Sequence, residues 1–426
     1  MRRIRIQGGR VIDPANGIDR ITDLCIADGH IVGLGSLDDF HADETITAEG
    51  LIVCPGLIDL SARLREPGLE TKATIASESA AAAAGGITTL CCPPDTDPVV
   101  DNPAVAELIR LRAEQAGKAR VVPIGALTQR LEGQQISEMH ELHRAGCAVV
   151  GQPNRSLGNS LVQRRAFEYA ASCDLTVFLR PLDPWLGHGC AHEGPVATRL
   201  GLPAIPESAE TIALARDLLL IEQTGVRAHF CQLSSARACA MVAEAQARGL
   251  PVSADVAAHH LHLCDHDIGE FDTLCHVLPP LRSERDRDGL CRAVADGVVG
   301  AICSDHQPHD TDAKLAPFSL SEPGISGLET LLPLALRLCE SHAMPLPELI
   351  ARLTSHPARI LAIDSGHLSP GASADLCLFD PEQHWVVEPG RLHSRGHNTP
   401  FTGWELKGRV RRTLLAGRTV FMEPSA

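Results

Sequence analysis

Short, uninterrupted apolar runs recur through the middle of the chain, at 57–60, 87–92, 121–127, 148–150, 176–179, 229–233, 252–256 and 301–303. Runs that are apolar at consecutive positions, rather than alternate ones, fit strands buried on both faces of a parallel sheet. Between them lie stretches with helical spacing of apolar positions, at 71–84, 103–116, 137–145, 160–172, 207–223, 236–248 and 284–295. An eighth, near 327–341, follows the last run. Eight strand–helix pairs predict an α/β protein built on a (β/α)8 TIM-type barrel rather than an open sheet.

The two ends read differently. Residues 1–55 carry short strands punctuated by Gly8-Gly9, Asp13-Pro14 and Asp28-Gly29, the last between alternating apolar residues as in a hairpin. Residues 365–426 repeat that pattern, with strands expected around 375–379, 409–415 and 418–421. The pattern predicts one small β domain assembled from 1–55 and 365–426, flanking a barrel over 56–364. The active site of such a barrel lies at the C-terminal ends of its strands. The positions to interrogate are therefore 61–65, 93–96, 152–154, 180–183, 232–235, 257–260 and 305–309.

Composition narrows the function classes. A 44% hydrophobic fraction fills a large core and excludes disorder as the main state, and with 3% aromatic residues that core is aliphatic. A net charge of −15 argues against nucleic acid or anionic membrane as the main partner. The basic start, Met1-Arg2-Arg3, is followed by no apolar segment of signal-peptide type, and no uncharged apolar stretch reaches membrane-spanning length. The 15 cysteines contain no C-x-x-C pair, and Cys91-Cys92 fall inside an apolar run. They read as reduced core thiols, and the chain as a soluble cytoplasmic protein. Twenty histidines raise the question of a metal enzyme.

Several motifs answer part of it. Pro55-Gly56-Leu57-Ile58-Asp59-Leu60, followed by Leu64-Arg65-Glu66-Pro67-Gly68, resembles the first barrel strand of dihydroorotases, in the cyclic amidohydrolase superfamily. Gly85-Gly86-Ile87-Thr88-Thr89, His192-Glu193-Gly194, Pro279-Pro280-Leu281-Arg282 and Ser304-Asp305-His306-Gln307-Pro308-His309 are similar to further stretches of that family. So are Gly327-Leu328-Glu329-Thr330, Gly371-Ala372-Ser373-Ala374-Asp375-Leu376 and Asn398-Thr399-Pro400-Phe401. The resemblance runs nearly end to end. It implies the amidohydrolase barrel with a β-sandwich-like domain, and a divalent metal, usually zinc, that generates hydroxide and polarises the ring amide.

The metal ligands that the resemblance calls for are missing. The H-x-H of the first strand reads Ser61-Ala62-Arg63, and the bridging carboxylate of the fourth is replaced in Gly151-Gln152-Pro153-Asn154. The histidine after the fifth strand is Arg180, and the second histidine of H-x-x-H after the sixth is Gln232, with His229 kept. The proton-shuttling aspartate survives as Asp305. A hydroxyl is a poor zinc ligand and a guanidinium repels a cation, so zinc binding is expected to be lost. A buried Asp305 would then need a new counter-charge, and one or both of Arg63 and Arg180 are expected to pair with it.

Of the residues that grip the substrate carboxylate in the family, Arg65 and His309 match. The asparagine after the second strand is Asp95, which opposes an anionic ligand, and the asparagine beside Pro279-Pro280 is Leu278. A transplanted metal site built from His188, His192, His259, His260, His262, His306 or His309 is the lesser expectation, because these read as loop and supporting histidines. The pattern resembles non-catalytic dihydroorotase-like chains that, in some bacteria, hold catalytic trimers of aspartate carbamoyltransferase in a mixed assembly. The resemblance therefore implies a structural subunit in pyrimidine biosynthesis, with homo-oligomeric contacts also expected. An active cyclic amidohydrolase with an unusual site and a metabolite-binding pseudoenzyme are the alternatives.

Overall fold

All eight apolar runs become strands. In the computed structural model, which describes residues 2–35, 37, 39–153, 157–342 and 344–424, Leu57–Asp59, Ile87–Cys92 and Arg120–Pro123 pair in parallel as barrel strands one to three. The third breaks at Ile124 and resumes as Gly125–Ala126 against the fourth, Val149–Gln152. Thr176–Leu179, Ala228–Phe230, Val252–Ala257 and Ala301–Cys303 follow in chain order as strands five to eight, each parallel to the one before. The ring closes between strands eight and one. Ala62 and His306 form a parallel bridge, the His306 N–H donates to the Ser61 carbonyl at 3.1 Å, and the Arg63 N–H donates to the His306 carbonyl at 2.9 Å.

Five of the surrounding helices start where the sequence supplies a side-chain acceptor. Asn102, Asn159, Ser235 and Ser283 cap Pro103–Ala116, Ser160–Ser172, Ala236–Ala247 and Glu284–Ala295, and Thr74 forms a capping box with Ser77 at Ile75–Ala84. Met139–Arg144, Ser208–Thr224 and Leu331–Ser341 complete the helices expected from spacing. Three helices were not legible: Pro195–Leu200, Leu346–Leu353 and Ser355–Leu361. Each carries a proline near its start, which reads as a breaker in sequence but is tolerated in the first turn, where the missing N–H has no helical partner.

Strands from both ends of the chain build one sheet. Its order is Arg418–Met422, Glu405–Leu415, Leu376–Val386, Ile52–Pro55, Arg3–Asp13, Ile18–Ala27 and His30–Leu34, with Glu44–Thr47 beside Arg3–Asp13. The Asp28-Gly29 hairpin forms, with φ of 51° and 81° at its two turn residues. The period-two alternation of the join divides two cores. Val53, Leu376 and Leu378 face a cluster internal to the sheet, while Ile52, Cys54, Cys377 and Phe379 face the cluster shared with the barrel helices. None of the 15 cysteines forms a disulfide, and Cys91 and Cys92 are fully buried in the second barrel strand. Among the described residues no helix is long and apolar enough to cross a membrane.

Asp375 fastens the sheet to the barrel. Its carboxylate pairs with Arg120 of the third barrel strand and accepts from the Ser373 hydroxyl at 3.0 Å and the Ala416 N–H at 2.7 Å. Its own carbonyl accepts from the Gly56 N–H at 2.8 Å, where the chain enters the barrel. Removing a buried acceptor strands its donors, at about 1–3 kcal/mol. Asp375→Ala should therefore lower the urea-unfolding free energy by about 2 kcal/mol, and an unchanged midpoint would contradict the clasp.

Candidate functional site

Three residues leaving the barrel strands hold a left-handed backbone: Arg65 (φ 63°), Gln232 (φ 48°) and Asp305 (φ 42°). For residues other than glycine this conformation stores roughly 1–3 kcal/mol each, and it persists only where the surroundings hold it in place. It redirects the chain at the C-terminal mouth, where the strand ends would present a reacting group.

Arg63 occupies the centre of that mouth. Its Nη1 donates to Asp305 Oδ1 at 3.2 Å and its Nε donates to Asp95 Oδ2 at 2.8 Å. Arg63 and Asp305 are buried, while the Asp95 side chain keeps about a fifth of its exposure, 21%. Burial alone would lower the Arg63 pKa, yet the two carboxylates raise it above the ordinary guanidinium value. Burial likewise pushes Asp95 upward, and the charges of Arg63 and Arg65 outweigh it and hold the carboxyl below the usual range. The expected pairing with Asp305 is thus made by Arg63. Asp95, read from sequence only as hostile to an anionic ligand, is the second half of the same clamp.

The Ser61 hydroxyl donates to Asp305 Oδ1 at 3.3 Å, and the Gln307 amide donates to Oδ2 at 3.2 Å. Arg180 lines the same space, and burial, with Arg63 nearby, brings its pKa down to about 10 against the pull of Asp305. Gln232 also lines it, donating its backbone N–H to Asp255 Oδ1 at 2.6 Å and its amide to Cys303 Sγ at 3.8 Å. Gln152 does not. Adjacent strand residues face opposite ways, so Gly151 and Pro153 wall the space while Gln152 turns outward, accepting from Thr128 Oγ1 and donating to the Leu131 carbonyl, both at 2.9 Å. Asn154 lies outside the described residues.

The space enclosed by Ser61, Arg63, Arg180 and Gln232, with Leu60, Ile124 and Phe178, measures about 20 Å³. That admits about one water molecule, against roughly 300–1,000 Å³ for an ordinary small-molecule site. Arg65 and His309 do not reach it. Arg65 donates Nε to the Pro308 carbonyl at 3.0 Å, and its Nη2 lies 3.1 Å from His309 Nε2, which also faces the Pro323 carbonyl at 3.1 Å. Burial, reinforced by Arg65 and Lys72, pushes the His309 pKa down to about 2, so the imidazole is neutral.

Beneath the mouth lies a buried polar layer that sequence reasoning missed. The Asp59 carboxylate accepts from the Ser304 N–H at 2.9 Å and from the Ser304 hydroxyl, and burial drives its pKa up to about 7. His229, on strand six, contacts Ser253 Oγ at 2.8 Å and Asp255 Oδ2 at 3.0 Å. His306 accepts from the Gly327 N–H at Nδ1, 3.1 Å, which leaves its Nε2–H to donate to Glu78 at 2.8 Å. The only sequence signal was a charged residue inside an apolar strand or helix face, such as Asp59, Glu78 and Asp255.

The other histidines do not assemble a replacement metal site. His260 and His262 bond through Nε2 to the Pro279 and Leu334 carbonyls, at 3.1 and 2.7 Å, and His192 Nδ1 accepts from Arg282 at 3.3 Å. His259 is buried in the turn Ala258–Leu261, and His188 is exposed. Among the described residues, one group of three potential ligands has its donor atoms within 4.8 Å of one another: His229, Cys231 and Asp255. Both ring nitrogens of His229 are already engaged there.

The chain is 52% identical over 416 residues to a dihydroorotase-like protein of Pseudomonas putida, covering 97% of this chain and 98% of that one. It belongs to the dihydroorotase-like family of amidohydrolases. A dihydroorotase-like protein of Pseudomonas aeruginosa matches to the same extent, and a dihydroorotase of Geobacter sp. is 42% identical over 418 residues, 98% of each chain. Family models described as dihydro-orotase-like and as amidohydrolase family match residues 50–238 and 325–421. The L-hydantoinase (dihydropyrimidinase) of Arthrobacter aurescens superposes with a TM-score of 0.90 at 22% identity, over 100% of this chain and 97% of that one, which establishes the shared barrel and β-sandwich fold. Against the zinc that this family implies, the residues do not fit: the mouth offers a hydroxyl, two guanidinium groups and a carboxamide beside two carboxylates already held by a cation.

If Arg63 is the counter-charge that two carboxylates share, its removal is costly. Arg63→Met should destabilise the chain by about 3–5 kcal/mol in urea unfolding, and adding Asp305→Asn should recover at least about 1 kcal/mol of it. Additive losses in that double-mutant cycle would show that the pair is not coupled.

Proposed function

We propose that this chain is a catalytically inactive dihydroorotase homologue that serves as an assembly subunit for aspartate carbamoyltransferase in pyrimidine biosynthesis. The observation that carries the inactive half is the Arg63 clamp: a guanidinium bonded to both Asp95 and Asp305 stands where the family's chemistry needs a metal. Asp305 could act as a proton shuttle only with a free carboxylate facing a substrate, and its oxygens accept from Arg63, Ser61 and Gln307. The cavity beside it is too small for a cyclic amide. On this reading the chain binds no zinc, and Arg65 and His309 are relics held by internal contacts, Arg65 to the Pro308 carbonyl and His309 to the Pro323 carbonyl.

The assembly role rests on the resemblance to non-catalytic chains of that kind; the two relatives at 52% identity are named dihydroorotase-like rather than dihydroorotase. Relatives at about 42% identity are named dihydroorotase, which keeps catalysis as the competing reading. The two separate by experiment. Purified chain supplied with excess zinc should neither close nor open the dihydroorotate ring above background, and a carbamoyltransferase should co-purify with it from the native source. Turnover that disappears in Asp305→Ala would overturn the inactive reading, and purification of the chain without that partner would overturn the assembly role.

A further inference from the structure

The loops that follow barrel strands seven and eight, 265–276 and 310–323, leave three large apolar side chains in solvent. Phe271 is 46% exposed, and Leu315 and Leu320 are each 74% exposed. Phe271 also holds a φ of 72°, a left-handed backbone that strains a bulky residue. A single exposed leucine is ordinary on a protein surface. These three, however, project from one stiff piece of it.

Lys314 supplies the stiffness. It is buried, and its ammonium donates to the Thr273 and His276 carbonyls of the first loop, at 3.1 and 3.3 Å, and to the Glu322 carbonyl of its own, at 2.7 Å. The Thr273 hydroxyl donates back to the Lys314 carbonyl at 2.7 Å, and the His276 and Phe318 ring centroids lie 4.9 Å apart. A surface ordered before it is covered loses little entropy on binding.

The charge around the apolar groups is one-sided. Asp267, Glu270, Asp272, Asp310, Asp312 and Glu322 are all exposed, and the buried Lys314 is the only lysine or arginine in either loop. Among the described residues, Glu322 alone of the six pairs with a lysine or arginine, Lys72. Arg395 borders the cavity beside the loops, where it donates to the Glu70 and Thr71 carbonyls. Six carboxylates thus face two neighbouring cations. A second copy of the chain would set the same carboxylates against each other, and nucleic acid or an anionic membrane would be repelled as well.

We propose that this rim docks the partner chain of the assembly, through a partner surface that sets lysines and arginines around an apolar centre. The existence of a partner rests on the assembly role proposed above; the docking face and its chemistry are additional to it. Phe271, Leu315 and Leu320 form the desolvated centre of the contact, and the carboxylates form its polar edge and steer the approach.

The test is a titration of the full chain with the purified aspartate carbamoyltransferase catalytic chain from the same source, at low and high salt. Binding that weakens as salt rises is expected. Leu315→Ser combined with Leu320→Ser should weaken it at least about ten-fold with an unchanged urea midpoint. Ile21→Ser, at an equally exposed position (75%) on the terminal sheet, should leave it unchanged. Asp310→Asn combined with Asp312→Asn should slow association and flatten the salt dependence. A complex that forms and is indifferent to the leucine double variant would overturn the docking face and leave the assembly role standing, whereas a wild-type chain that binds no carbamoyltransferase would overturn both. A leucine double variant that loses self-association in sedimentation while binding the partner normally would show a contact between copies, and would also overturn the proposal.

Discussion

The Arg63 guanidinium lies between Asp95 and Asp305 at the open end of a barrel, and much of the local structure follows from that placement. Two carboxylates facing a low-dielectric interior repel each other and resist burial unless a cation joins them. Once Arg63 takes that role, Ser61 and Gln307 complete the hydrogen bonding of Asp305. Phe178, Ile124 and Leu60 close over the remaining volume, and little solvent-filled space is left. The mouth is thereby largely filled by its own side chains.

The scaffold beneath is held by its own set of bonds. Strand eight still locks to strand one through His306, Ser61 and Arg63 backbone groups, and Asp59 still gathers both Ser304 donors under the seam. The left-handed turns at Arg65, Gln232 and Asp305 also remain. Such strain is ordinarily tolerated for the sake of positioning reactive groups. Here it positions an ion pair, a carboxamide and a guanidinium whose contacts are all internal.

Sequence reading recovered the architecture because its signals were local and repeated. Apolar runs marked all eight barrel strands, and helical spacing of apolar positions marked the helices between them within a few residues. The short proline-led helices escaped because proline in the first turn and proline as a breaker look alike in one dimension. At the site, ligand positions could be read from motif order, and electrostatic necessity gave Arg63 a partner in Asp305. What could not be read was facing. Gln152 sits one residue from Gly151, and only the pleat decides which of them sees the mouth. The second contact of Arg63, to Asp95, required knowing how strands one and two bring their ends together. The polar layer joins separate strands, His229 to Asp255 across neighbouring strands and Asp59 to Ser304 from opposite ends of the barrel sequence, so no local pattern announces it.

The three-way clamp also bears on what this chain can become. Exchanging Arg63 for histidine would supply one imidazole of a metal shell while leaving Asp95 and Asp305 buried without their cation, and the rest of the shell would still be wanting. Any single exchange of Arg63 therefore passes through a chain less stable than the present one, and folded proteins have only a narrow stability margin to lose. The ion pair thus ties any change at Arg63 to the stability of the barrel mouth.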